Sequence, residues 1–199
     1  WEKIQELGPF TNDVWPYISK EIEQTKSYLA QICAVSKNRI ALTENVTSGC
    51  MLPLWGINFS TSERILISDC EHPGVVAGCR ELARRNKLKI DILPVRQLRH
   101  GEDNELSTKK TLLQVLDTYI KPTTRIVVLS HLLWNTGQIM PILDVSKLLQ
   151  QHPLKPFLLV DAAQSFGQLP LAEVASQVDI YAFTGHKWAC GPEGLGGVV

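Results

Sequence analysis

Five short apolar runs punctuate the chain: RILISD (64–69), KIDILPV (89–95), RIVVLS (125–130), PFLLVD (156–161) and DIYAF (179–183). Each has the length of a β-strand. Several are apolar at every position rather than at alternate ones, as in strands covered on both faces. Between them lie stretches with helical spacing of apolar residues, 74–86, 108–119 and 142–151. Ahead of them, Val14 to Cys33 places Ile18, Ile22, Tyr28, Leu29 and Ile32 on or near one helical face. Strands alternating with helices predict an α/β fold, a mostly parallel sheet with helices on both faces.

An open parallel sheet offers ligands the crevice beyond the carboxyl ends of its strands. His72 follows the run ending at Asp69, and Asn135 the run ending at Ser130. Asp161 closes its own run, with Gln164 just beyond, and Thr184, His186 and Lys187 lie at or beyond the end of the run closing at Phe183. Polar groups delivered from separate strand ends to one rim form the pattern expected of a binding site.

Taken singly, each group has an ordinary explanation. In LLVDAAQS (158–165), Asp161 can be a helix cap or a buried anion that requires a cationic partner. In FTGHKW (183–188), the lysine can be a solvated loop residue. It also stands between an apolar strand and the glycine-rich ACGPEGLGG (189–197), where hydroxyl, imidazole and backbone amides suit a phosphate. A lysine flanked by a cation and partly desolvated is expected to have a lowered amine pKa, which favours condensation with a carbonyl. In ALTENVTSG (41–49), Thr and Asn at a helix start act as caps or frame an anion site. In DCEHPGVV (69–76), Pro73 favours a helix start. His72 is then either a capping histidine or an imidazole packed on an aromatic cofactor ring.

Composition narrows the field. A chain of 199 residues is long enough for one domain with a sizeable core. Its zero net charge points to no polyanion or anionic membrane as a partner. The five cysteines are odd in number and include no CxxC pair, which favours a reducing compartment over a disulfide framework or zinc cluster. Cys70, His72, His131 and His186 lack regular ligand spacing, so no metal site is expected. Cys190, beside the glycine-rich loop, reads as a packing residue. No run reaches the length of a membrane span, and WEKIQELGPF lacks the apolar stretch of a signal peptide, so a cytoplasmic location is expected. The non-Met start and the apolar run that stops at Val199 suggest a fragment.

Five segments in order, NVTSGCMLPLWG, SDCEHPGV, SHLLWNTGQIMP, LLVDAAQS and YAFTGHKWACGPEGLGG, resemble the fold-type I, class V family of pyridoxal-phosphate enzymes. That family includes cysteine desulfurases, isopenicillin-N epimerase-like proteins and carbon–sulfur lyases. The segments are most similar to those of L-cysteine/cystine C–S lyases, from about residue 40 onward. The resemblance implies that residues 1–199 form the large cofactor-binding domain, with a small C-terminal domain outside this chain. It implies pyridoxal 5'-phosphate as cofactor, bound covalently by Lys187. Asp161 would pair with the pyridine nitrogen, Gln164 would reach the phenolic oxygen and His72 would stack on the ring. Thr184, His186 and Thr43, with neighbouring amides, would hold the phosphate. Asn135 would lie near the ring, although it stands two residues before Gly137 where desulfurases have three. The implied reaction is β-elimination at cysteine or cystine, with Lys187 taking the α-proton, a sulfur group leaving, and pyruvate and ammonia as the other products. A homodimer and a sulfur-acceptor protein are implied partners. The alternatives are a desulfurase that passes sulfur to a protein cysteine, another class V enzyme, and a non-catalytic module of the same fold.

Overall fold

The computed structural model describes residues 1–100 and 105–199. Its centre is a seven-stranded sheet. The strands are β1 (Ala41–Thr43), β2 (Arg64–Ser68), β3 (Lys89–Leu93), β4 (Thr124–Ser130), β5 (Phe157–Asp161), β6 (Ile180–Thr184) and β7 (Gly196–Val198), in the order β1-β7-β6-β5-β4-β2-β3. Strands β2 to β6 are mutually parallel and coincide with the five apolar runs. β7 runs antiparallel to both β6 and β1. The edge strand β1 and its neighbour β7 were not foreseen. Each is three residues long, and GGV carries no apolar alternation to mark it as a strand.

The helices are α1 (Glu2–Leu7), α2 (Val14–Ile32), α3 (Val46–Gly56), α4 (Pro73–Asn86), α5 (Glu105–Tyr119), α6 (Ile142–Gln151) and α7 (Ala172–Ala175). The strand register divides them between the faces. Ile126 and Val128 of β4 join Leu159, Ile65 and Ile67 against Cys50 and Leu54 of α3 and Val75, Cys79 and Leu82 of α4. Val127 and Leu129 join Leu158, Val160 and Leu66 against Leu112 and Leu116 of α5 and Val145 and Leu149 of α6. Both sides of each central strand are therefore buried, which is why those runs are apolar throughout. α2 forms where its spacing predicts. Its stripe is only partly covered: Leu29 packs against the core, but Ile22, Tyr28 and Ile32 are 43%, 55% and 50% exposed.

The strand order reverses between β2 and β4, since β2 leads outward to β3 and the chain then returns to β4. That reversal opens a crevice at the carboxyl ends of β2 and β4, beside Asp161 at the end of β5. A close approach at β7 positions α3. A Cβ on Gly196 would lie 2.7 Å from the Phe183 carbonyl oxygen and 2.8 Å from the Asn45 carbonyl carbon, so only glycine lets α3 begin this close to the sheet.

Candidate active site

Asp161 and Thr184 end neighbouring parallel strands, and Thr43 ends β1, across Gly196 from Thr184. By strand alternation Asp161 shares a face with Leu159, and Thr184 with Ala182, on the side covered by α3. The Asp161 carboxylate is 3% exposed, and its Oδ1 accepts a hydrogen bond from the Ala163 N–H at 2.8 Å. Burial raises its pKa above the ordinary carboxylate value, while that N–H and the charges of Lys187 and His72 pull it down. Three residues distant in sequence thus act on one another electrostatically. Among the described residues no cation forms an ion pair with this carboxylate. It is both a local cap and a buried carboxyl group with no cation paired to it.

His72 is the N-cap of α4, with Pro73 in the first helical turn. Its Nδ1 accepts from the Gly74 N–H at 3.2 Å, and its ring meets Trp134 edge-on at 6.1 Å. Both sequence readings are compatible, because the cap occupies one ring nitrogen and leaves Nε2 and the ring face. Opposite, Asn45 caps α3, its Oδ1 accepting from the Ser48 N–H at 2.9 Å. The Thr43 hydroxyl donates to the Asn45 carbonyl at 2.9 Å, so it braces the helix start and keeps only a lone pair for a ligand. Thr184 Oγ1 lies 2.9 Å from His186 Nδ1. Together with the first-turn amides of α3, which a helix leaves without internal partners, these groups suit an oxyanion. Lys187 is half-buried in the loop that follows. Gln164 lies across from it and accepts a hydrogen bond from Trp188. Asn135 stands at the exposed rim, its side chain facing the Cys70 thiol rather than Asp161.

Some residues here carried no assignment in the sequence. Glu71 is 5% exposed and bridges the crevice. It accepts from the Ser68 hydroxyl at the end of β2, and from the backbone N–H (2.9 Å) and hydroxyl (2.7 Å) of Ser130 at the end of β4. Burial pushes its pKa up to about 7, against the pull of these donors. Behind β4, His131 Nδ1 lies 3.2 Å from the Tyr181 hydroxyl, and burial drives its pKa down to about 4, so it is neutral near pH 7. Neither residue sits in a spacing that distinguishes it from an ordinary loop acid or histidine.

The cysteines divide four to one. Cys33, Cys50, Cys70 and Cys79 are buried, and burial raises all four thiols, Cys33 to about 11 and Cys79 to about 12. Cys190 is exposed, at a positive φ of 54°, so it is not the packing residue expected. Two concavities flank the sheet ends. One of about 360 Å³ adjoins the site and is lined by Leu132, Trp134, Ile139, Gln164 and Trp188. A larger one, about 650 Å³, lies at the opposite ends of β5 and β6 and includes none of the candidate residues.

Known proteins match this arrangement. The family described as Aminotransferase class-V matches residues 12–199. A solved complex of the cystine C–S lyase C-DES with its reaction product cysteine persulfide is 40% identical, with a TM-score of 0.90 over 99% of this chain and 50% of that one. A lysine-to-alanine variant of C-DES with glycine covalently linked to its PLP cofactor is 39% identical, with the same TM-score and coverage. A probable cysteine desulfurase of Pasteurella multocida is 29% identical over 176 residues, which are 87% of this chain and 38% of the relative. The chain thus spans half or less of the length of these relatives.

Proposed function

The chain belongs to the class-V aminotransferase family, and from that premise we propose that it is the cofactor-binding domain of a pyridoxal 5'-phosphate enzyme that cleaves a carbon–sulfur bond in cysteine or cystine. The observation that carries this reading is Asp161. It is a buried carboxylate without an ion-pair partner among the described residues, in electrostatic reach of Lys187 and His72. A buried anion of this kind is costly unless a cation pairs with it, and a protonated pyridine nitrogen is such a cation. The remaining donors fit the same group. Thr184, His186 and the start of α3 suit its phosphate, the Lys187 amine its aldehyde carbon, and the amide of Gln164 its phenolic oxygen. Thr43 braces the phosphate end from behind, and His72 covers the ring. Asn135, turned toward Cys70, takes no part in this set.

Bound pyridoxal phosphate supplies an electron sink for the electrons of the substrate's Cα–H bond. Asp161 holds a proton on the ring nitrogen, which keeps that sink effective. The Lys187 amine takes the α-proton as general base. His72 confines the substrate against the ring and offers Nε2 as a hydrogen-bonding group. A sulfur group departs from the β-carbon; from cystine this is a persulfide, a weaker base than an alkyl thiolate and so a better leaving group. Hydrolysis of the remaining three-carbon fragment by water gives pyruvate and ammonia. Transfer of sulfur to a cysteine, the reading suggested by the desulfurase relatives, calls for an accessible, ionisable thiol. Among the described residues four of the five cysteines are buried with raised pKa values, while Cys190 is exposed, so the thiols of this domain do not separate the two readings; the 40% identity to the cystine C–S lyase C-DES is what favours elimination. The resemblance further supports a homodimer, and the odd number of cysteines without a CxxC pair a reducing setting.

The test uses the full-length protein. Borohydride reduction followed by peptide mapping is expected to place the cofactor on Lys187, and Lys187→Ala is expected to abolish that adduct and pyruvate release from cystine. Attachment to another lysine would overturn the assignment.

A further inference from the structure

Trp188 follows the candidate cofactor lysine and has no role in the scheme above. Its indole Nε1 lies 2.9 Å from Gln164 Oε1. An indole nitrogen donates only, so the amide atom facing it is the oxygen. The amide nitrogen then points elsewhere, and among the described residues it has no hydrogen-bond partner. The pairing is enforced by the backbone. Gly167, at φ +84°, lets the turn that carries Gln164 press against the lysine loop, where a Cβ would come within 2.4 Å of the Ala189 nitrogen. The two loops meet backbone to backbone, which limits the separation of the two side chains.

From this we propose, resting on the cofactor reading above, that Trp188 is a positioning residue: its N–H locks the Gln164 amide so that only its NH2 group is offered to the ring oxygen of the bound cofactor. An unlocked amide could present either end. With its oxygen turned inward it would repel a phenolate instead of stabilising it. The lock makes Gln164 a donor only.

A ring oxygen that receives a hydrogen bond is a weaker acceptor for the proton on the neighbouring lysine nitrogen. Gln164 therefore lowers the pH at which that nitrogen loses its proton, and the visible band of the bound cofactor reports the midpoint. The titratable groups nearby, Asp161, His72 and His186, are unchanged in every protein compared. The experiment titrates the visible band of full-length, cofactor-loaded protein for the parent, Gln164→Ala, Trp188→Phe and the double variant. Trp188 is 51% exposed, so its replacement is tolerated by the fold. Gln164→Ala is expected to raise the midpoint by about two- to tenfold in proton affinity, the range of one hydrogen bond. Trp188→Phe is expected to raise it in the same direction, and the double variant to match Gln164→Ala alone. Three results overturn the proposal: Trp188→Phe titrating with the parent, the two shifts adding in full, or Gln164→Ala leaving the midpoint unmoved. A parent that forms no visible band is a different failure, because it removes the cofactor reading itself.

Discussion

His72 shows how one side chain can satisfy two demands. Its Nδ1 caps α4 through the Gly74 N–H, while its Nε2 and ring face remain for a ligand. Substitutions separate the two. His72→Asn supplies an oxygen that can cap equally well, so it should melt with the parent yet lose turnover and cofactor affinity. His72→Phe still covers a ring but cannot accept the Gly74 N–H. It should keep the cofactor's visible spectrum, lose turnover, and lose about 1 kcal/mol of stability. Thermal melts beside steady-state pyruvate release measure both effects. Unaltered turnover in both variants would show that His72 is a cap and nothing more.

The elements depend on close approaches that no propensity encodes. α3 brings its first turn to the rim because β7 carries glycine where Asn45 and Phe183 come closest. In Gly196→Ala the added carbon meets backbone atoms on two sides, and neither can yield without moving β6 or α3. Overpacking of this kind costs about 1–3 kcal/mol. Beyond that loss of stability, the variant should bind the cofactor's phosphate more weakly, since Thr43 and the α3 amides shift together. Equilibrium dialysis with pyridoxal phosphate, beside a denaturation curve, checks both, and parent-like affinity would mean that α3 does not hold the phosphate. β7 itself illustrates a limit of pattern reading. A glycine pair followed by valine becomes a strand only because β6 and β1 supply hydrogen-bonding edges on either side.

At the scale of the whole molecule, the buried Glu71 joins the ends of β2 and β4, and its titration should appear in global stability. The folded protein holds its proton up to about pH 7, against an ordinary value of 4.5. Its contribution to stability is therefore fully present below about pH 4.5 and is lost as the pH rises through about 7. Glu71→Gln removes that dependence. The stability of the variant relative to the parent should climb between those limits by up to about 3 kcal/mol. Urea unfolding of the full-length protein at a series of pH values tests this, and parallel pH profiles would refute it. The sequence alone determined the five parallel strands, the helices between them and the convergence of His72, Asp161 and Lys187 on one rim. Hydrophobic runs and strand ends are local signals, and an alternating α/β order admits few topologies. The tertiary structure decided what depends on neighbours distant in the chain. It left Ile22, Tyr28 and Ile32 of α2 exposed, inserted β7 between β6 and the edge strand β1, exposed Cys190, turned Asn135 toward Cys70, set Glu71 across the crevice and placed Trp188 on Gln164. Burial and hydrogen-bond partnership are properties of pairs, and a pair such as Gln164 and Trp188, separated by 24 residues, exists only once two loops have been brought into contact.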